Sequence, residues 1–386
     1  MHGERSALEI FRQDLYHCAD CNYCVDAVWA ERGIEHVCAT ITHHSPALSY
    51  SGRGYIAAAR ALLEGQALNL DVLAERAFSC TGCGNCESIC PIGLRPAQVG
   101  QALREMLAAQ DHLPAPLAAL RTRVREQGNV YGAPPAARSA WATGLEFTAG
   151  PLATLQYAPG CATAHARPAE ARAAVRLFQL AGERVGYSPA DDACCGAPLR
   201  EAGLPQDAAY AEQTLAGRLR APLLVTSGLE CAPAWQRGVT AERVLSFPQW
   251  LLQALLDARL QLIPRATRPS VVHVFDSCAS RRPGDLRAAV DPTRAILQHL
   301  AQTVENAAMT ASHGVCCGAA GSLATLHPAA AARMGATRRG AATVPVVAGD
   351  VRCLTHLAGS TGEGGEQLFG VAEFLLHYFE VEGRAT

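Results

Sequence analysis

Sixteen cysteines in a chain of 386 residues set the tightest limit on what this sequence can fold into. They fall into four sets of four: Cys18, Cys21, Cys24 and Cys38; Cys80, Cys83, Cys86 and Cys90; Cys161, Cys194, Cys195 and Cys231; Cys278, Cys316, Cys317 and Cys353. A chain this rich in cysteine either cross-links itself or binds metal. The N-terminal stretch MHGERSALEIFRQDLYHC carries acidic residues and no apolar h-region, so it does not read as a signal peptide. No apolar run reaches the ~20 residues that cross a bilayer. The expected location is cytoplasmic, with peripheral attachment to the inner face of the membrane as a variant. Thiols stay reduced there, and grouped cysteines act as metal ligands or redox groups rather than disulfides.

The segment FSCTGCGNCESICPIGL places Cys80, Cys83, Cys86 and Cys90 in the run C-x₂-C-x₂-C-x₃-C-P, the bacterial ferredoxin pattern for a [4Fe–4S] cluster. Thiolates are the soft, anionic ligands that suit iron and sulfide. Gly82 and Gly84 let the backbone bend around them. Zinc is the rival occupant, but it favours two separated CxxC pairs. Upstream, Cys18, Cys21 and Cys24 repeat C-x₂-C-x₂-C, and the next cysteine is Cys38. In two-cluster ferredoxins the fourth cysteine of one run ligates the other cluster. The expected pairing is therefore Cys18, Cys21, Cys24 and Cys90 on cluster 1, and Cys80, Cys83, Cys86 and Cys38 on cluster 2. Two alternatives stay open: Cys38 is simply a buried thiol, or His43 or His44 replaces a ligand. Solvated polar residues are the plainer account of the two histidines.

The remaining cysteines lie in an internal repeat. LQYAPGCAT around Cys161 parallels VVHVFDSCAS around Cys278, each an apolar strand that ends at a cysteine. ARAAVRLFQLAG and TRAILQHLAQ follow as amphipathic helices. DDACCGAPL then matches SHGVCCGAAG, and PLLVTSGLEC matches VPVVAGDVRC as strands ending at Cys231 and Cys353. The apolar helices FPQWLLQALL and GVAEFLLHYF close the two halves and are expected to pack each inside its own half. The lone cysteine precedes the pair by 33 positions in one half (Cys161 to Cys194) and by 38 in the other (Cys278 to Cys316). The pair precedes the last cysteine by 36 in both (Cys195 to Cys231, Cys317 to Cys353). The reading is an α/β chain with a mainly α-helical, two-cluster ferredoxin-like domain (1–112), a linker or docking segment (113–150) and two pseudo-equivalent α/β halves, 151–262 and 263–386. Cys161, Cys194, Cys195 and Cys231 then offer a third cluster site, and Cys278, Cys316, Cys317 and Cys353 a fourth, with one or two further clusters expected and a structural role for one half left open. The competing account of each Cys-Cys-Gly is a pair of buried thiols packing as small hydrophobes.

Composition removes several function classes. All 33 basic residues are Arg, which excludes a Walker A lysine, Schiff-base and pyridoxal-phosphate chemistry. The formal charge of −2 gives no nucleic-acid footprint. The run GSTGEGGEQ lacks GxGxxG spacing and reads as a solvated loop, and no flavin or nicotinamide fingerprint is visible. In the 113–150 segment, LRTRVREQ presents Arg121, Arg123 and Arg125 as an outward face, solvated or docking an acidic partner.

With two ferredoxin-type runs followed by two CCG halves, the chain resembles the iron–sulfur subunits of glycolate oxidase and of anaerobic glycerol-3-phosphate dehydrogenase, and is similar to the CCG subunit of heterodisulfide reductase. SGRGYIAAARALLEG looks like the GxRGRI-containing helix of the glycolate oxidase type. The resemblance implies an electron-relay subunit, the electron-transfer part of an oxidoreductase rather than its substrate-binding chain. A flavoprotein dehydrogenase would oxidise a small organic acid or polyol phosphate, and this chain would pass the electrons on to quinone, with a membrane anchor as a further partner. It departs from the family pattern in its broken first motif and in ending each CCG half on one cysteine where CxxC is frequent. The five-thiolate sites of heterodisulfide reductase are therefore lacking, which counts against the alternative of a disulfide-reducing catalyst. A zinc-structured, non-redox scaffold is the third reading.

Overall fold

In the N-terminal domain, capping side chains fix where helices begin. Ser51 accepts from Gly54 N at the start of one helix and Asn69 from Val72 N at the start of the next, while Pro96 opens a third. The helices are α1 (Arg12–His17), α2 (Ala39–His43), α3 (Gly52–Leu63), α4 (Leu70–Phe78), α5 (Pro96–Ala109) and α6 (Ala115–Gln127). Tyr55, Phe78, Leu103 and Leu107 fill their shared core. The computed structural model describes residues 7–26, 31, 33–238, 244–279, 291–305, 314–340, 344–360 and 367–383. Most of the glycine-rich run after residue 359 lies outside the described residues.

The 113–150 segment is not a linker. α6 buries Leu117, Leu120 and Val124 in the N-terminal core, a stripe three to four residues apart that the surrounding arginines mask in composition. Arg123 Nε donates to Val130 O at 3.1 Å and Arg125 pairs with Asp207 at 2.7 Å, so two of the three expected docking arginines are engaged inside the chain. Further on, a 3₁₀ helix (Pro135–Ala142) buries Trp141 among Phe147, Tyr157 and Tyr187. The first part of the segment thus belongs to the N-terminal domain and the second to the repeat.

Each half of the repeat is a parallel four-stranded sheet. In the first, β1 (Leu155–Ala158), β2 (Val185–Gly186), β3 (Leu223–Thr226) and β4 (Val244–Ser246) lie in the order β2-β1-β3-β4. β5 (Leu260–Pro264) follows. In the second half, β6 (Val271–Phe275), β7 (Thr303–Glu305), β8 (Val346–Ala348) and β9 (Leu368–Gly370) repeat the pattern as β7-β6-β8-β9, and β10 (Phe379–Gly383) ends it. β5 and β10 each follow the closing helix of their half and pair antiparallel with each other, Leu260 with Gly383 through Pro264 with Phe379. This ribbon crosses the expected boundary at 262.

The connecting helices are α7 (Cys161–Ala166), α8 (Pro168–Leu180), α9 (Ala197–Glu201), α10 (Pro205–Ala216), α11 (Cys231–Gly238) and α12 (Phe247–Leu256) in the first half. The second half has α13 (Pro292–His299), α14 (Pro328–Arg339), α15 (Val351–Gly359) and α16 (Val371–Tyr378). The closing helices do not stay within their own halves. α12 packs on α13 of the second half, and α16 packs on α8 of the first. One core therefore runs through both, from Phe178, Phe247 and Trp250 to Ile296 and Phe374. Each parallel sheet needs both faces covered, and each half supplies part of the other's cover.

Glu170 of α8 enters this shared core and accepts the N–H groups of Ala372 and Glu373 at the start of α16, at 3.0 and 2.8 Å. Burial, with the nearby Glu373 carboxylate adding to it, pushes the Glu170 carboxyl from 4.5 to about 8. An acid whose pKa is raised on folding contributes stability that is complete below pH 4.5 and is lost as pH rises through about 8. Melting temperatures of wild type and Glu170→Gln measured from pH 5 to 9 are expected to diverge, the variant gaining on wild type by up to a few kcal/mol. A constant difference across that range would show that Glu170 does not titrate there.

Candidate cluster-binding sites

The chain brings the fourth cysteine of each ferredoxin run to the other run. Arg95, just past Cys90, is clamped to α1: its N–H donates to Asp14 Oδ1 at 2.8 Å and its guanidinium reaches Asp14 Oδ2 at 2.6 Å. α1 ends at His17, so Cys90 arrives beside Cys18, Cys21 and Cys24, and these sulfurs lie within electrostatic reach of one another. Asp20 and Asn22 turn this loop with φ of 52° and 66°, values that Asp and Asn tolerate better than most residues. Cys38 leads into α2, where Thr40 Oγ1 donates to Ser79 O at 3.4 Å, next to Cys80. Cys38 consequently faces Cys80 and Cys83, and Cys86 joins the same group. Gly52 of the SGRGY helix is needed here, because a Cβ on it would stand 3.2 Å from Cys86 Sγ and 2.8 Å from Pro96.

Sulfur-directed donors surround these groups. Gly82 N reaches Cys80 Sγ at 3.2 Å and Leu94 N reaches Cys90 Sγ at 3.3 Å. Burial pushes the Cys24 thiol up to about 11 and the Cys38 thiol up to about 12. A bare thiolate is thus disfavoured at both, and cationic iron is what would make it stable. His43 and His44 do not join either group, nor are they simply solvated. His44 lies 3.9 Å, ring to ring, from His327 and packs edge-on to Tyr50.

In the CCG halves the last cysteines stand past the strand ends, each in the first turn of a helix: Cys231 opens α11 and Cys353 lies near the start of α15. Cys161 likewise opens α7. The sulfurs touch in series, Cys161 to Cys194 to Cys195 to Cys231, and Cys278 to Cys316 to Cys317 to Cys353, the last step measuring 3.3 Å. Among the described residues no three metal-ligating side chains gather where one ion would hold them. A row of four suits thiolates that each bind a different iron of a cluster. Gly196 and Gly318 follow the pairs with φ of 81° and 93°, and a Cβ on either would meet the carbonyl of Ala208 or Ala331 at 2.9 or 2.8 Å. Only glycine lets the CCG turn lie against its following helix in both halves.

Three of the four groups adjoin. Cys316 contacts Cys83 of the second ferredoxin run. Asn85 Nδ2 donates to Gly314 O at 2.9 Å, and Ser79 Oγ bonds His327 Nε2 at 2.8 Å, holding the two loops together. α7 and α15, which carry Cys161 and Cys353, pack on each other. The Cys18 group lies outermost, with Cys21 exposed, whereas the CCG cysteines are buried except for the half-buried Cys161. A cleft of about 430 Å³ opens where the three groups meet, lined among others by Gly82, Gly84, Leu229, Glu230, Ala279 and Gly321.

Residues 14–94 match the family model for a 4Fe-4S dicluster domain, and residues 155–220 match that for a CCG cysteine-rich domain. The chain thus carries one stretch similar to a dicluster iron–sulfur domain and one similar to a CCG domain. No curated protein and no solved structure matches it. [4Fe–4S] clusters belong to such domains, and electron transfer is the function that they imply. None of the chain's described helices is long and apolar enough to cross a membrane.

Charged side chains near the CCG cysteines escaped the sequence reading. Arg138 donates to Cys161 Sγ at 3.2 Å and pairs with Asp192 at 2.8 Å. A hydrogen bond from Cys194, aided by Arg138, lowers the Cys161 thiol to about 6. Nothing in the composition of 113–150 marks this arginine. Glu230 and Arg352 were more accessible, because each immediately precedes the last cysteine of its half. They approach to 3.9 Å, and Arg352 also forks onto Glu201 at 3.0 and 3.2 Å. By the same alignment Gly228 in one half stands where Asp350 stands in the other, three residues before the last cysteine.

Proposed function

We propose that this chain is the relay subunit of an oxidoreductase, taking electrons from a flavoprotein dehydrogenase that oxidises a small organic acid or polyol phosphate and delivering them to quinone. All sixteen cysteines would serve as ligands, in the four groups described above, and the clusters would supply one-electron redox steps. The observation that carries the reading is the contact between Cys83 and Cys316, which joins the ferredoxin domain to the CCG halves without an insulating layer. The protein's own part is to fix these distances. Asn85, Ser79 and His327 hold the second ferredoxin loop on the second CCG loop, and the packing of α7 on α15 holds the two halves together. The exposed rim around Cys21 suits entry from a redox partner, and the buried CCG cysteines suit the later stations.

The cleft beside Glu230 and Ala279 favours a second reading, reduction of a disulfide at a CCG site, since a catalyst needs access. The fifth thiolate counts against it. Neither CxxC spacing around the last cysteine is filled: Gly228 and Ala234 flank Cys231, where a Cβ at Gly228 would lie 2.7 Å from Cys231 Sγ, and Asp350 and His356 flank Cys353. The two readings separate in one experiment. Anaerobically prepared, iron-loaded protein, chemically reduced, is mixed with a water-soluble quinone analogue or with a small organic disulfide. The relay reading expects rapid reoxidation by the quinone and none by the disulfide. Catalytic disulfide turnover, lost in Cys194→Ala, would replace it with the second reading.

A further inference from the structure

The two CCG quartets differ in the charged side chain that lies against a cysteine sulfur: an arginine at the first and a carboxylate at the second. At the first, the Arg138 guanidinium is buried, 4% exposed, and donates Nη1 to Cys161 Sγ at 3.2 Å. Its Nη2 is held by Asp192 Oδ1 at 2.8 Å and by Ala193 O at 3.0 Å, which aims the fork at the sulfur and places the counter-charge beyond it. Arg352 belongs to the second half but crosses to the first, and its charge bears on Cys195. At the second quartet a carboxylate lies against the last cysteine instead. Asp350 is 1% exposed, and its Oδ2 lies 3.5 Å from Cys353 Sγ, with Ser277 Oγ donating to the same oxygen at 2.5 Å. The N–H groups of Arg352 and Cys353 fix its other oxygen at 3.0 and 3.3 Å. Neither side chain can turn away without breaking these bonds.

A thiolate-bound cluster gains negative charge on reduction. Hydrogen bonds to its sulfurs and net charge beside it set its potential, and low local dielectric enlarges both effects. A donor and positive charge at the sulfur favour the reduced state, and a carboxylate opposes it. We infer that Arg138 and Asp350 split the two CCG sites in potential, so that the Cys161 quartet is the more readily reduced of the two. This inference rests on the reading that both CCG quartets bind clusters. It gives the relay a direction, from the second CCG half, which touches Cys83, to the first, with a single electron moving and no proton required. The same position three residues before the last cysteine is Gly228 in the half meant to accept and Asp350 in the half meant to donate.

The test is an anaerobic redox titration of the iron-loaded full-length protein, followed by electron paramagnetic resonance together with iron content. Cys161→Ala and Cys278→Ala identify the couple of each quartet by its loss. Arg138→Met is expected to move the couple lost in Cys161→Ala to lower potential, and Arg138→Lys to restore part of the shift. Asp350→Asn is expected to raise the couple lost in Cys278→Ala and leave the first unmoved. Arg138→Met with Asp192→Asn, which removes the carboxylate left unpaired, is expected to keep the same downward direction. Unmoved potentials in iron-replete Arg138→Met protein overturn the inference alone. Loss of iron in both Arg138→Met variants makes Arg138 a structural residue and overturns it too. Full iron content in Cys161→Ala overturns both the inference and the cluster reading beneath it.

Discussion

Cys90→Ala protein prepared anaerobically is expected to lose the cluster held by Cys18, Cys21 and Cys24, on the order of four iron atoms per chain. The Cys80 cluster should remain. Cys90 belongs by sequence to the second run, yet the Asp14–Arg95 clamp delivers it to the first. Double variants give the decisive comparison. Two ligands of one cluster remove the same iron, so Cys18→Ala adds nothing to Cys90→Ala, whereas Cys80→Ala adds a second loss of equal size. Iron losses that add for Cys18 and Cys90 would show that the two runs bind separately and that the crossing is wrong.

The second large effect is expected in the shared core. Trp250 is 1% exposed, its ring 4.4 Å from Phe178, with the Arg259 guanidinium 5.5 Å above it and its Nε1 donating to Glu183 at 3.3 Å. Removing so large a buried side chain costs about 3–5 kcal/mol. Because α12 covers α13 of the other half, the loss is felt in both halves. Calorimetry of Trp250→Ala should show the transition of the CCG region shifted down as one unit. A low-temperature transition for the first half alone, with the second half melting at its wild-type temperature, would mean that the halves fold independently.

Both expectations depend on how much a linear pattern can express. The two kinds of iron–sulfur domain were legible, because C-x₂-C-x₂-C and Cys-Cys-Gly are local and the offsets of the repeat coincide at Cys195 to Cys231 and Cys317 to Cys353. So was the equivalence of the two α/β halves, since two stretches with the same succession of short apolar runs and helices fold to the same kind of sheet, whereas the strand order itself came only from the structure. The apolar stripe Leu117, Leu120 and Val124 was hidden by the prolines and arginines around it, and the segment looked like a linker. For FPQWLLQALL and GVAEFLLHYF the helical character was plain, but an apolar face does not say which surface will cover it.

The sequence by itself determined that this chain carries its cysteines in sets of four within iron–sulfur contexts and that its second part is one unit written twice, for those facts are carried by residue type and spacing. Only the tertiary structure decided that the halves share one core, that Arg138 points at Cys161, that the Asp350 carboxylate lies against Cys353 Sγ, and that Cys316 meets Cys83. The physical reason is that hydrophobic burial is non-directional and any apolar face accepts any other, whereas side-chain charge acts through distance in space. Neither leaves a local mark in the chain.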